Sequence, residues 1–545
     1  MSRLRHGYGE PRPPVVTFAL NLSTRYALIV ASALLGIVVL PFNLKYLGEA
    51  NYGLLTLVAS VTTYFSVLEL GYGGAIVRYV AEFRARKDPQ ALNEILSTMF
   101  YVFSIIGVFA YLLAAVIALL LPSIFNLTPD QIAPARIVLL IIGVQVTLYF
   151  VFAIFGGVIN GFELYYINNI VGGAFNVAAA LVNLLVLWLG YGIIEVVAST
   201  TVMRVLPFFI YRRNAYKAFP GLEIRRAHFR WSRLRELTGF SAYLAVIDWS
   251  ARLTYTTDFF ILGMFLNTTV VAVYAVAQRL AEALLRMTNQ LHTFLFPAVV
   301  THAVDGGMEG QRRLFVRATR FQLAVALGLC GGVAAISDVL IRAWVGPGYE
   351  ASASVLRVLC AIVVIRTMLS MPATVLKGTG HHRFVAIGSA WCAVASVLLS
   401  ITAVQRYGMP GVAWGAFVPA AILSGAVVFP KTCRLVGLTV AAGYRSIVWP
   451  VAWPAVIAIA TLASTRHLLP PTLPFALTHL MLGGAFYAAL VFAFGLDREE
   501  RQWFIGAGRQ IAARLLPSAG NLAPSTVEGK AAAYRVVKPE TGGVR

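Results

Sequence analysis

AVAQRLAEALLRMTNQLHTF, residues 275–294, is a polar stripe in an apolar surround. At 100° per residue, Arg279, Glu282, Arg286 and Gln290 fall within one narrow arc of a helix, and Leu280, Leu284, Met287 and Leu291 lie on the far side. The window around the stripe is hydrophobic enough to span a bilayer. A charged group at that depth costs roughly 2.5–3.5 kcal/mol on insertion scales. Such groups persist only where they face a cavity, a partner or a cargo. The stripe therefore predicts a polar space inside a bundle of spanning helices.

The whole chain agrees with that expectation. Of its 545 residues 59% are hydrophobic and 12% charged, whereas about 25% are charged in an average soluble protein. Mean hydropathy is +0.76. Apolar stretches of about 20 residues recur throughout, each long enough for a core of about 30 Å. None alternates with period two, so they read as helices and not barrel strands. The net charge of +21 could suit nucleic acid, but the cations gather in alternate loops, which is the signature of topology. Nucleic acid is excluded as a partner. Cys330, Cys360, Cys392 and Cys433 show no metal-ligand spacing, and no phosphate-loop motif or catalytic constellation occurs. Neither an enzyme, a metal nor a cofactor is expected.

The predicted fold is an all-α polytopic membrane protein of about fourteen transmembrane helices. Two six-helix repeats form two lobes around a central cavity, and a C-terminal helix pair is added. The expected divisions are a cytoplasmic N-terminal segment (1–23), an N-lobe with spans one to six (24–211), and a basic cytoplasmic connector (212–238). A C-lobe with spans seven to twelve (239–430), a second cytoplasmic connector (431–446), spans thirteen and fourteen (447–495) and a basic tail (496–545), disordered at its end, complete the chain. The first apolar segment is full length and continues into the bundle, so it reads as a span and not a signal peptide. Both termini are expected in the cytoplasm, since loops between odd and even spans are poor in cations.

The chain also echoes itself. KYLGEANYGLLTLVAS, from Lys45, resembles MFLNTTVVAVYAVAQR, from Met264, and NGFELYYINNIVGG, from Asn160, takes the place of KGTGHHRFVAIGSA, from Lys377. Repeats are a common construction for alternating-access carriers, with the site at their interface.

LGEANYGLLTLVASVTTYFSVLELGYGGAIVRYVAEFRARKD, from Leu47, resembles the amino-terminal signature of bacterial polysaccharide flippases of the O-antigen and exopolysaccharide type. These belong to the multidrug/oligosaccharidyl-lipid/polysaccharide exporter superfamily. VVAVYAVAQRL, from Val270, and RAWVGPGYEASASVLRVL, from Arg342, resemble its later signatures, and the resemblance spans about Thr24–Phe494. It implies carriage of undecaprenyl-pyrophosphate-linked oligosaccharide across the bacterial inner membrane, among membrane lipids, with a polysaccharide polymerase and chain-length machinery as candidate partners. The lipid II flippases, a sister group, carry essential cations on spans one, two and eight. Arg25, Arg279 and Glu282 match two of these spans. Span two offers only Glu69 and then Arg78, so that part of the pattern does not carry over.

The charge balance fits an anionic cargo. Arg252, Arg279, Arg286 and Arg366 sit at mid-depth, opposed by Asp248 and Glu282. Four cations against two anions leave a surplus of two. A structural network would tend towards neutrality, because an unpaired buried charge is costly. A pyrophosphate supplies about the missing charge, and Arg presents a bidentate fork for it. The candidate site is therefore Arg25, Arg252, Arg279, Glu282, Arg286 and Arg366, supported by Asp248, Gln290 and Ser370. The plainer reading is that some of these arginines only brace helices. Asp258, towards the outer end, reads as polar packing. Two other functions compete. A cation-coupled multidrug exporter of the same superfamily would favour an acidic cavity. A glycan polymerase or glycosyltransferase would need a sizeable outer loop, and every predicted outer loop is short.

Overall fold

The computed structural model describes residues 14–69, 72–233, 249–250, 253, 256–305, 307–468, 470–502 and 505–506. Among them every regular element is helical. The chain is a multi-pass membrane protein: among the described residues ten helices are long and apolar enough to cross a membrane. The predicted number of fourteen is not reached in that count. Half of span seven, predicted at Gly239–Leu266, lies outside the described residues, as do the N-terminal 1–13 and the tail from 507.

Helix α1 (Pro14–Thr63) contains the stretches predicted as the first span and the start of the second. It breaks at Gly48, where φ is +75°. Helix α12 (His382–Ala421) likewise joins two predicted spans and breaks at Gly408, φ +60°. Both turns need the left-handed backbone that glycine adopts without a Cβ penalty.

The first half continues with α2 (Tyr72–Ala85), α3 (Pro89–Ile124), α4 (Pro129–Gly161), α5 (Tyr165–Trp188) and α6 (Ile193–Ala218). Local chemistry sets their starts. The Asp88 carboxylate accepts from the Ala91 amide at 3.0 Å ahead of Pro89. Gln131 reaches back to the Thr128 amide at 3.2 Å, and Glu195 to the Gly192 amide at 3.0 Å. Helix α6 runs through Pro207 to Ala218, so Arg212, Arg213 and Lys217 lie in its last turns and the connector starts at Phe219.

The second half holds α7 (Thr256–Phe265), α8 (Thr268–Asp305), α9 (Gly307–Ala335), α10 (Ser337–Val345), α11 (Glu350–Gly378), α12 and α13 (Phe429–Leu435). Predicted span nine is split at Ile336 between α9 and α10. Short α14 (Val440–Gly443) leads into α15 (Trp449–Thr465) and α16 (Leu473–Leu490), and both α15 and α16 pack on α9. Gly328 and Gly331 of α9 let Tyr487 and Ile459 come within reach of the α9 backbone.

Within the first half α4 packs on α3 and α6, and α5 on α1 and α6. Within the second, α11 packs on α8, α9 and α12. Between the halves the main pairing is α1 against α8. There Gly53 lies so close to α8 that a Cβ would overlap the Thr268 carbonyl oxygen and approach the Ala272 amide. The repeat offset that takes Lys45 to Met264 also takes Gly53 to Ala272. Positions that this offset makes equivalent therefore meet at the α1–α8 contact.

The connector after α6 is clasped to the first half. The Asn93 amide group donates to the Gly221 carbonyl at 2.9 Å and its oxygen accepts from the Glu223 amide at 3.0 Å. Ser97 donates to the Glu223 carbonyl at 3.1 Å, and the Arg230 amide donates to Thr98 at 3.0 Å. Glu94 meets Arg233 at 3.2 Å. The segment predicted as a basic connector is thus fixed to the start of α3 by hydrogen bonds between side chains of α3 and its backbone.

Candidate functional site

Helix α8 begins where the Asn267 side chain accepts from the Val270 amide at 3.0 Å. Its opening turns are apolar and sunk: Val271, Ala272 and Tyr274 through Ala277 are buried. The polar arc opens at Arg279. Glu282 takes an ion pair from Arg279 at 3.6 Å and from Arg286 at 3.5 Å. These i,i+3 and i,i+4 spacings bring the charges together on one face, as the sequence period requires. One carboxylate serves two guanidinium groups, and each Arg side chain keeps 57% of its surface open.

Two further contacts place this face between the halves. Arg279 lies close enough to the Tyr52 hydroxyl, on α1, for the two groups to interact. Arg279 also lies close enough to Arg204, on α6, for the two charges to act on each other. Tyr52 and Arg204 both belong to the first half. Neither was among the candidates from sequence.

Arg366 is half-buried on α11, and its charge acts on Asp258. The Asp258 carboxylate, buried on α7, accepts from the buried Tyr274 hydroxyl at 2.5 Å. Asp258 therefore belongs with Arg366 and Tyr274 in a buried polar group. Ser370 donates to Gln322 of α9 at 2.9 Å and to the Thr367 carbonyl at 2.7 Å, so it ties α11 to α9. The side chains of Arg25 and Gln290, and the residues Asp248 and Arg252, lie outside the described residues.

The loops predicted to be outer are joined across the halves at the cation-poor end. The Asn126 amide donates to the Gly263 carbonyl at 2.9 Å, and its side chain to the Leu266 carbonyl at 2.8 Å. Gln131 donates to Thr268 at 2.9 Å, and the Trp344 indole to the Ile37 carbonyl at 2.8 Å. Glu49 lies near Tyr349; burial, and then that carboxylate, push the tyrosine hydroxyl above its ordinary range. At the basic end of α6, by contrast, Phe209, Arg212, Arg213 and Tyr216 line an open pocket of about 550 Å³. Among the described residues no group of three His, Cys, Asp or Glu side chains could hold a metal ion.

A chain with this geometry can be set beside known proteins. Residues 21–301 match the profile of the family described as "Polysaccharide biosynthesis protein". An uncharacterized membrane protein, EpsK of Bacillus subtilis, is 21% identical over 394 residues, covering 71% of this chain and 76% of its own length. A putative O-antigen transporter of Shigella flexneri is 20% identical over 391 residues, covering 70% of this chain and 89% of its own length. Among solved structures, the lipid II flippase MurJ in an inward closed conformation superposes with a TM-score of 0.70 at 14% identity. The match covers 87% of this chain and 98% of that one. At that identity the likeness is one of fold: a two-lobed bundle of membrane helices.

Proposed function

Because the chain belongs to the polysaccharide biosynthesis protein family, we propose that it is a flippase for undecaprenyl-pyrophosphate-linked oligosaccharide. In this reading it sits in the bacterial inner membrane with both termini in the cytoplasm. The cation-poor end then faces outward and the basic end faces the anionic inner leaflet. The observation that carries the proposal is the sharing of Glu282 by Arg279 and Arg286, both open to solvent, on a helix face turned towards the other half. A single carboxylate neutralises one of the two cations. The remainder suits a doubly charged head group, held through the Arg forks.

The cycle follows from the contacts. With the outer loops joined, the arginine face is reached from the inner leaflet. The pyrophosphate binds there, the glycan follows it into the polar space, and the polyprenyl tail stays among lipid tails. Rocking about the α1–α8 contact then opens the outer end, as repeat-built carriers do. Pairing to the incoming phosphate must outlast desolvation only in part, because the cargo has to leave on the other side.

Replacement of Arg279 or Arg286 by Ala tests the reading. A hydrogen bond to a charged group is worth about 1.5–3 kcal/mol, so surface glycan should fall roughly tenfold or more while membrane insertion is unchanged. Normal surface glycan in both variants, or resistance to cationic dyes conferred by the wild type in place of export, would overturn it.

A further inference from the structure

Helix α6 starts at Ile193, at the cation-poor end, and at 1.5 Å per residue it carries Arg212 and Arg213 about 30 Å further on. A hydrocarbon core is about 30 Å thick, so both guanidinium groups stand at head-group level on the other side. At 100° per residue Val202, Leu206, Phe209, Arg212, Arg213 and Tyr216 fall within about 120° of the helix surface, and Arg204 lies about 140° from the middle of that arc. The part of the arc within the core is apolar and open: Val202 and Phe209 are each 52% exposed, and Leu206 39%. On a spanning helix such a stripe lies against acyl chains.

At its basic end the stripe runs into the open pocket of about 550 Å³ lined by Phe209, Arg212, Arg213 and Tyr216. Two aromatic residues of α4 brace its walls. Phe152 meets Phe209 edge-on with ring centroids 5.2 Å apart, and Phe155 packs on Tyr216 at 6.1 Å. The Arg212 guanidinium stands 5.9 Å from the Tyr216 ring. None of the lining residues is acidic, and among the described residues neither arginine has a carboxylate within ion-pair reach. Elsewhere at this end Arg86 pairs with Glu82, Arg233 with Glu94, and Arg312 and Arg313 with Glu309. Fixing topology takes charge alone; it needs neither a braced pocket nor an apolar stripe leading into it.

We propose that this pocket holds the phosphate of an anionic phospholipid, with one of its acyl chains along Phe209, Leu206 and Val202. Two Arg forks suit a phosphate, and the exposed stripe suits a hydrocarbon chain. A soluble phosphate or an acidic peptide would use the first feature and leave the second bare. All the lining residues belong to the first half, so the lipid and the cargo proposed for the α8 face have separate sites. The flippase reading enters only in setting which leaflet supplies the lipid.

The test titrates the full chain in detergent micelles with phosphatidylglycerol, and with phosphatidylcholine of equal chain length as the control. Bound lipid is counted by native mass spectrometry. One phosphatidylglycerol should bind at least about tenfold more tightly than phosphatidylcholine, the size of one charge-assisted hydrogen bond. Arg212→Gln combined with Arg213→Gln should abolish that preference, and Arg213→Gln alone should reduce it. Arg312→Gln combined with Arg313→Gln removes the same charge at the same end and should leave the preference intact. Equal losses in the two double variants would reveal a diffuse attraction and overturn the site, as would a wild type that does not prefer phosphatidylglycerol. Farnesyl pyrophosphate at equal concentration should not displace the bound lipid. Displacement would make the pocket a cargo site and overturn the phospholipid assignment. The export assay on Arg279→Ala decides the flippase reading independently of every one of these outcomes.

Discussion

A guanidinium group at the centre of a bilayer survives by company, and the kind of company tells its use. Arg279 has Glu282, Tyr52 and the nearby charge of Arg204, and none of these is a private counter-ion. Asp258 shows the opposite case. It is buried, it is held by the Tyr274 hydroxyl, and Arg366 is close by. Tyr274→Phe removes a donor from a buried carboxylate and should cost about 1–3 kcal/mol, read as a lower thermal unfolding midpoint in detergent. A midpoint equal to wild type would show that Asp258 finds its stabilisation elsewhere. Arg279, Glu282 and Arg286 were legible in the sequence because charges in an apolar window are rare and the helical period aligns them. Arg204 was legible as a charge but not as a neighbour, since no pattern along α6 says which helix stands opposite. Tyr52 and Tyr274 carry no such signal, because an aromatic in a spanning helix is ordinary packing until its hydroxyl is seen to be bound.

At the scale of elements, small residues decide how near two helices come. Gly53 brings α1 against the first turn of α8, with the Thr268 carbonyl where a side chain would be. Gly53→Val should push these helices apart, weaken the joined outer loops and cut export at least severalfold, at a stability cost of about 1–3 kcal/mol for overpacking. Reporter labelling of Gln131→Cys, a position buried against Thr268 that becomes accessible once the loops part, checks it. Helix positions were largely readable from runs of apolar residues. Their ends were less so: α6 runs on to Ala218 because its basic last turns are still good helix formers. The grip of Asn93, Ser97 and Thr98 on the connector was not readable at all, as it joins residues more than 120 apart in sequence.

For the whole molecule, the loops at the cation-poor end are joined across the halves, and alternating access as proposed requires this joined state to open. A thiol crosslinker between Gln131→Cys and Thr268→Cys should therefore hold this state. Export is expected to stop on crosslinking and to return when a cleavable linker is reduced. Continued export with the link intact would mean that these loops never part. The two-lobed arrangement was foreseeable from the repeats at Lys45 and Met264, because a repeated unit with a repeated interface must build a pair. That the loops at the cation-poor end would be joined was not, since the partners lie 137 to 140 residues apart.

The bonds at that end also impose an order in time. Asn126 and Gln131 take partners 137 to 140 residues further along the chain. At about 5–20 residues per second, synthesis delivers those partners roughly 7–30 s later. Throughout that interval the unfinished first half presents polar groups that only water or the insertion machinery can satisfy. Its early helices must therefore wait, inserted but uncapped, for the ribosome to reach the start of α8.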